Sequence, residues 1–281
     1  VEKTALAEAE VEYSDHKSVT IFARFGIERC PIDVLEGASL VIWTTTPWTM
    51  PGNRAMAFGS DIAYSAFRVK SVSEGSLAIP GEVICLADDL CRDVFAACGI
   101  LEANTVHEFN GSDLEGTVAR HPLAHAGYNH DVLVLAADYV TTEQGTGFVH
   151  IAPGHGPEDY ELAHLKHGVE VPDIVDEAGF IMLHLPLLGG MHVLRDNKRI
   201  ADILVQKGSL IGLGSLTHSY PHSWRSHAPV IYRNAAQWFV SMEADGLRDK
   251  ALYALSQTDF YPQSGQNRLM AMIKNRPDWC L

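Results

Sequence analysis

None of the five cysteines (Cys30, Cys85, Cys91, Cys98 and Cys280) belongs to a Cys-x-x-Cys pair. An odd, scattered set is neither a secreted disulfide framework nor a zinc ribbon. The apolar neighbours Leu90, Val94 and Phe95 mark Cys91 and Cys98 as small core residues in a reducing compartment. Long apolar runs are missing as well. The stretches at 39–43 and 132–137 are far too short to cross a bilayer, so no membrane partner is expected. Residues 1–10 are rich in Ala and Glu and lack the basic start and apolar core of a signal peptide, so the expected location is cytoplasmic. Positive charge is in deficit: 21 Lys+Arg stand against 35 Asp+Glu, a net charge of −14. That argues against tight, non-specific binding of nucleic acid by the chain as a whole. A local basic face stays open, from Arg195, Lys198 and Arg199 or from Arg225, Arg233, Arg268, Lys274 and Arg276, although solvated surface charge accounts for most of them. There is no Gly-x-Ser-x-Gly elbow, no P-loop and no Gly-x-Gly-x-x-Gly, and every cysteine has an apolar or helical context unsuited to a Cys–His nucleophile.

What is present is a chain of 281 residues, 47% apolar, long enough to bury a substantial core. Alternating or β-rich segments predict strands at 19–25, 39–44, 62–69, 105–109, 132–136 and 147–151. Helices are expected at 87–98, with Gly99 as its stop, at 157–167, opened by Pro157 and closed by Gly168, and at 195–207, closed by Gly208. Many short strands, Gly-rich connections and a few interspersed helices suggest a mixed β-barrel with helical insertions, mainly β with α. From Ser219 the aromatics thicken and helices follow at about 244–257 and 262–274. The chain stops abruptly on Trp279-Cys280-Leu281, which reads as a cut inside a larger protein. The expected organisation is a leading segment at 1–11, a main domain at 12–218 and a return segment at 219–281.

Two blocks concentrate the polar groups that could carry chemistry. The first is Trp43-Thr44-Thr45-Thr46-Pro47-Trp48-Thr49, followed by Asn53. Strand periodicity puts Thr44 and Thr46 on one side and Thr45 on the other, and Pro47 ends or bends the strand. Exposed hydroxyls there could donate to a carbonyl or orient a water. β-branched threonines are also good strand formers, and on composition alone that plainer reading wins for any one of them. Asn53, after Pro51-Gly52, is either a turn former or a ligand-facing amide.

The second block runs from Gly145 through His150 and Gly154-His155-Gly156 to Asp159-Tyr160. Asp159 falls near the third residue of a helix, a position that favours carboxylates; the alternative is an acceptor for a substrate ammonium group. His150 closes a strand and points into the core or into a pocket. A metal site from His150, His155, Asp159 and His164 is disfavoured, because Asp159 and His164 are five apart and off the i, i+4 stripe. His121 and His125 have suitable spacing, but Pro122 argues against a helix interior there. If the two blocks meet, they form a small polar pocket with walls from distant parts of the chain.

Together the blocks resemble the editing (connective peptide 1) domain of the isoleucyl-tRNA synthetase family. Trp43 through Ala55 is similar to that family's threonine-rich stretch, and Gly145 through Tyr160 to its second editing signature. The Pro47-Trp48 and Gly154-His155-Gly156 variants point to the isoleucyl rather than the valyl or leucyl relatives. Asp15-His16-Lys17-Ser18 resembles the entry to the insertion, while Tyr220 through Arg225, Gln237 through Val240 and Asn275 through Cys280 look like the return toward a catalytic core. The His-x-Gly-His and Lys-Met-Ser-Lys-Ser blocks of the ATP-using half are absent, so the resemblance is to the insertion of a ligase whose aminoacylation half lies elsewhere.

The resemblance implies post-transfer editing: hydrolysis of mischarged Val-tRNA(Ile) by a size-selective pocket, with water as nucleophile and neither metal nor other cofactor. Such a second sieve answers a physical limit, since one methylene in a hydrophobic pocket is worth only about 1–3 kcal/mol. By the same resemblance Asp159 holds the α-ammonium group. Thr45, Thr46 and His150, beside Trp43, line the side-chain pocket, and Thr44 and Asn53 contact the substrate or help hold the water. The implied partners are the 3′ acceptor end of tRNA(Ile), valine and the rest of the synthetase. A metal-dependent hydrolase and a tRNA-binding module without activity are the alternatives.

Overall fold

The computed structural model describes residues 4–280. Contacts divide the chain into two compact units, 1–234 and 235–281.

The first unit begins with a 19-residue strand, β1 (Val11–Arg29). After it come β2 (Ser39–Thr44), β3 (Ala55–Phe58), β4 (Ala63–Val72) and β5 (Val83–Ala87), then helix α1 (Cys91–Cys98) and β6 (Ile100–Asn110). Strands β7 (Val118–Arg120), β8 (Asp131–Ala136) and β9 (Phe148–Ile151) lead to a short helical turn, α2 (Pro157–Asp159), which continues as a π-helix over Tyr160–Lys166. Helix α3 (Asn197–Gln206) and the long strand β10 (Leu210–Ser223) complete the unit.

Among the described residues these strands form one ten-stranded mixed sheet in the order β10-β1-β7-β8-β3-β9-β2-β5-β4-β6. A further pairing joins β1 to β2, Ile21 opposite Thr44 through Gly26 opposite Ser39. The circuit β1–β7–β8–β3–β9–β2 therefore returns to β1. β1 can serve so many neighbours because of its length. Its first half pairs with β10, its middle also with β2, and its last residues, Ile27 and Arg29, with β7. The central strands β2, β3 and β5 are almost wholly buried and read as near-continuous apolar runs. The largest core cluster gathers Phe25, Leu40, Ile42, Met56, Phe58 and Tyr64 with Leu114, Leu204 and others.

Helix α1 is shorter than the expected 87–98: Asp88–Leu90 forms a 3-10 turn that feeds it. Gly99 takes the left-handed conformation (φ 68°) at its end, as the stop signal requires. No strand is expected at β10 from the residue pattern, because Gly212 and Gly214 interrupt it. Gly212 is there for proximity. A Cβ on it would come within 2.6 Å of the Cys98 sulfur and 3.0 Å of the Phe22 ring.

The second unit holds α4 (Leu247–Ser256) and α5 (Ser264–Lys274), with a two-stranded pairing of β11 (Phe239–Val240) and β12 (Trp279–Cys280). The Arg248 guanidinium donates to the carbonyls of Ile273, Lys274 and Arg276 and so ties α4 to the end of α5. No helix among the described residues is long and apolar enough to cross a membrane.

Candidate functional site

The two polar blocks meet around β9. Val149 of β9 pairs with Trp43 of β2 on one side, and His150 stands opposite Met56 of β3 on the other. The turn Pro47–Gly52 leaves β2 and delivers the chain to β3 through Asn53, so β9 is flanked by both ends of the turn. Pro47 cannot extend the ladder, and the strand stops at Thr44.

His150 is the hub. The Asn53 amide donates to its Nδ1 at 2.8 Å and also to the carbonyls of Ala55 (2.9 Å) and Ile151 (3.3 Å). Two carbonyl acceptors fix which end of the amide is nitrogen, and therefore the tautomer of His150. Its proton sits on Nε2 and is donated to the Thr49 hydroxyl at 2.9 Å, which in turn donates to the Thr46 carbonyl at 2.8 Å. Both ring nitrogens are engaged. Burial, with a smaller contribution from the His155 imidazole, pushes the His150 pKa down to about 3, so the ring is neutral at physiological pH.

Thr44 and Thr46 face the same side although the strand ends at Thr44: their hydroxyls are 3.1 Å apart, and the Thr46 amide donates to the Thr44 hydroxyl. Thr46 Oγ1 lies 3.4 Å from that of Thr49, so three hydroxyls run in line toward the imidazole. The half-buried Thr45 side chain makes no hydrogen bond among the described residues. Trp43 packs against the cluster of Phe22, Val41 and Ile84.

Asp159 occupies the third helical position after Gly156, and its carboxylate accepts from the Ala152 amide at 2.7 Å, just beyond the end of β9. Burial raises its pKa to about 7; the Ala152 amide lowers it, and Glu158 adds to the rise. No hydrogen bond among the described residues links Asp159 to the hydroxyls or to His150. The structure therefore joins Thr44, Thr46, Asn53 and His150 in one network. It places Asp159 on the loop that leaves the same strand.

Thr49 is the member that sequence reasoning missed. Its only signal was its place three residues after Thr46, across the turn that Pro47 opens. Two more histidines brace the turn from behind. His121 donates from Nε2 to the Met50 carbonyl at 2.8 Å, and the His130 ring contacts the Asn53 carbonyl at 2.9 Å. A cavity of about 620 Å³, lined in part by Arg24, Arg120, His121, His130 and Lys207, borders this bracing rather than the hydroxyls. Among the described residues no three His, Cys, Asp or Glu side chains converge as a group able to hold a metal ion. His164, the last member of the predicted cluster, donates its Nδ1 proton to the Val169 carbonyl.

The family model for tRNA synthetases class I (I, L, M and V) matches residues 1–281. The isoleucine–tRNA ligase of Pelagibacter ubique is 45% identical over 281 residues, covering all of this chain and 30% of that protein. The isoleucine–tRNA ligase of Gluconobacter oxydans is 43% identical over 295 residues, covering all of this chain and 31% of its own length. The chain thus spans about a third of the relatives it matches. In three dimensions it resembles the crystal structure of the P. knowlesi cytosolic leucyl-tRNA synthetase editing domain, with a TM-score of 0.54 and 9% identity over 70% of this chain and 96% of that one. At that identity the likeness is one of fold.

Proposed function

The chain belongs to the class I tRNA synthetases (I, L, M and V), and we propose that it carries post-transfer editing for an isoleucine–tRNA ligase: hydrolysis of Val-tRNA(Ile) in a size-selective pocket. On this reading residues 12–218 are the editing domain and 219–281 return toward an aminoacylation core elsewhere in a longer, cytoplasmic protein. The closed circuit of strand pairings supports reading the sheet as a barrel that carries the pocket at β2 and β9.

The observation that carries the proposal is the fixed, neutral His150 between Asn53 and Thr49. With both nitrogens engaged, His150 has no lone pair left for a proton or a metal, so its part is that of a rigid wall. On this reading Thr46 and Thr45 would be the residues beside it that close the space a valine side chain enters. Asp159, ionised above about pH 7, is the group suited to an α-ammonium, whose charge would itself favour the carboxylate. An aminoacyl ester is already activated. A held water and donors near the developing oxyanion suffice. The water oxygen bonds to the ester carbonyl carbon, the bond to the terminal ribose oxygen breaks, and that oxygen regains a proton from the water. Thr44 and Thr46 are the hydroxyls available to orient the water or the 3′ acceptor end.

A metal-dependent hydrolase fits this geometry less well, because among the described residues no three His, Cys, Asp or Glu side chains converge as a group able to hold a metal ion. A tRNA-binding module without activity would leave the network intact but show no deacylation. Val-tRNA(Ile) deacylation, assayed with and without a chelator, separates the three. Chelator-insensitive hydrolysis supports the editing reading, chelator-sensitive hydrolysis the metal one, and no hydrolysis the binding module.

A further inference from the structure

His155 belongs to none of the roles above, yet it touches Trp48 and Gly52 of the turn and the Tyr232 carbonyl. Its Nδ1 proton is donated to the Tyr232 carbonyl at 3.0 Å, so in the neutral ring Nε2 bears only a lone pair. That nitrogen is buried and has no hydrogen-bond partner among the described residues. Its surroundings explain why. The ring meets Trp48 edge-on at 5.0 Å between centroids, and a Cβ on Gly52 would lie 3.3 Å from Cδ2 and 3.4 Å from Nε2. Trp48 and Gly52 belong to the turn that presents Thr49 and Asn53. His155 belongs to the loop between His150 and Asp159, closed by its own amide donating to the Ala152 carbonyl. One side chain therefore presses the second block onto the first.

We propose that His155 is a positioning residue of the site: its neutral imidazole clamps the Asp159-bearing loop onto the Trp48–Gly52 turn, anchored by the Tyr232 carbonyl. This rests on the editing function proposed above. Only the neutral ring fits, since a proton on Nε2 would be buried against Gly52 with no acceptor. Burial accordingly holds the His155 pKa below its ordinary value. A phenylalanine could keep the ring packing but not the anchor. An asparagine can reproduce the Nδ1 donor.

The test compares His155→Phe, His155→Asn and the separate Gly52→Ala in the full-length synthetase, reading Val-tRNA(Ile) deacylation and the imidazole nitrogen shifts. His155→Phe should lower kcat about ten- to a hundred-fold, as misplacement of a reacting group does, with KM changed much less and thermal stability kept. His155→Asn should recover most of that loss. A relaxed loop also hydrates Asp159, faced otherwise by Glu158 and Tyr139, so the acidic limb of the pH–rate profile should move to lower pH in His155→Phe. Equal activity of His155→Phe and the parent protein, equal damage in His155→Phe and His155→Asn, or an unmoved acidic limb would overturn the proposal. If the parent protein hydrolyses nothing, the editing reading fails, and the nitrogen shifts still decide the clamp. An Nδ1-protonated His155 that is disturbed by Gly52→Ala supports it; an Nε2-protonated ring contradicts it.

Discussion

The Nε2 proton of His150 is donated to the hydroxyl of Thr49, 101 positions away in sequence, across 2.9 Å in a buried setting. This bond, with the Asn53 amide on the opposite nitrogen, fixes the ring in one tautomer and one orientation. In the proposed editing site, a ring held from both sides would be a wall that cannot move aside for a larger side chain, as a sieve by size requires.

Thr49→Val keeps the shape and removes the acceptor. The His150 Nε2–H is then buried without a partner, which costs about 1–3 kcal/mol. Thr49→Ser should cost far less. Denaturant unfolding of the two variants measures the difference, and equal stability would mean that the bond contributes nothing.

Asn53→Ala removes the donor that serves His150 Nδ1 and the carbonyls of Ala55 and Ile151 together. A destabilisation of about 1–3 kcal/mol or more is expected, together with loss of deacylation as the ring comes free. Unfolding and activity should fall in step. A variant that stays stable and active would show that the amide is dispensable.

Asp159→Asn should abolish deacylation while leaving the fold intact. Because the folded-state pKa lies at about 7, above the ordinary carboxylate value, ionisation of Asp159 works against the fold. Its favourable contribution is present at low pH and is lost as pH rises through about 7. The Asn variant should therefore melt at a higher temperature than the parent at pH 8, and the gap should shrink toward pH 4. Calorimetry across that window checks the sign. In the parent, deacylation should decline as pH falls through about 7.

Much of this site was legible in the sequence for a simple reason: strand periodicity and helix-terminal signals are local. Thr44 and Thr46 do share one side, the strand does end before Pro47, and Gly99 and Gly208 stop their helices at positive φ. What escaped was decided by distant contacts. Nothing local says that Asn53 holds an imidazole from β9, or that His121 braces the Met50 carbonyl. The need for a bare Cα at Gly212 comes from the Cys98 thiol and the Phe22 ring, which lie far away in sequence. The departure of 160–166 into a π-helix, immediately after Asp159, likewise left no mark in the residue pattern.

Enlarging the pocket tests the sieve from the other direction. His150→Ala and Thr46→Ala should let Ile-tRNA(Ile) be hydrolysed, with His150→Ala also destabilised by the cavity that its buried ring leaves. If both variants still reject isoleucine, the exclusion lies elsewhere.

The proposed editing function is decided by the rate of Val-tRNA(Ile) deacylation beside that of Ile-tRNA(Ile) under identical conditions. A size-selective editing site predicts hydrolysis of the valyl ester well above the uncatalysed rate, with the isoleucyl ester left near background. Equal rates for the two esters, or a valyl rate no higher than background, would contradict it.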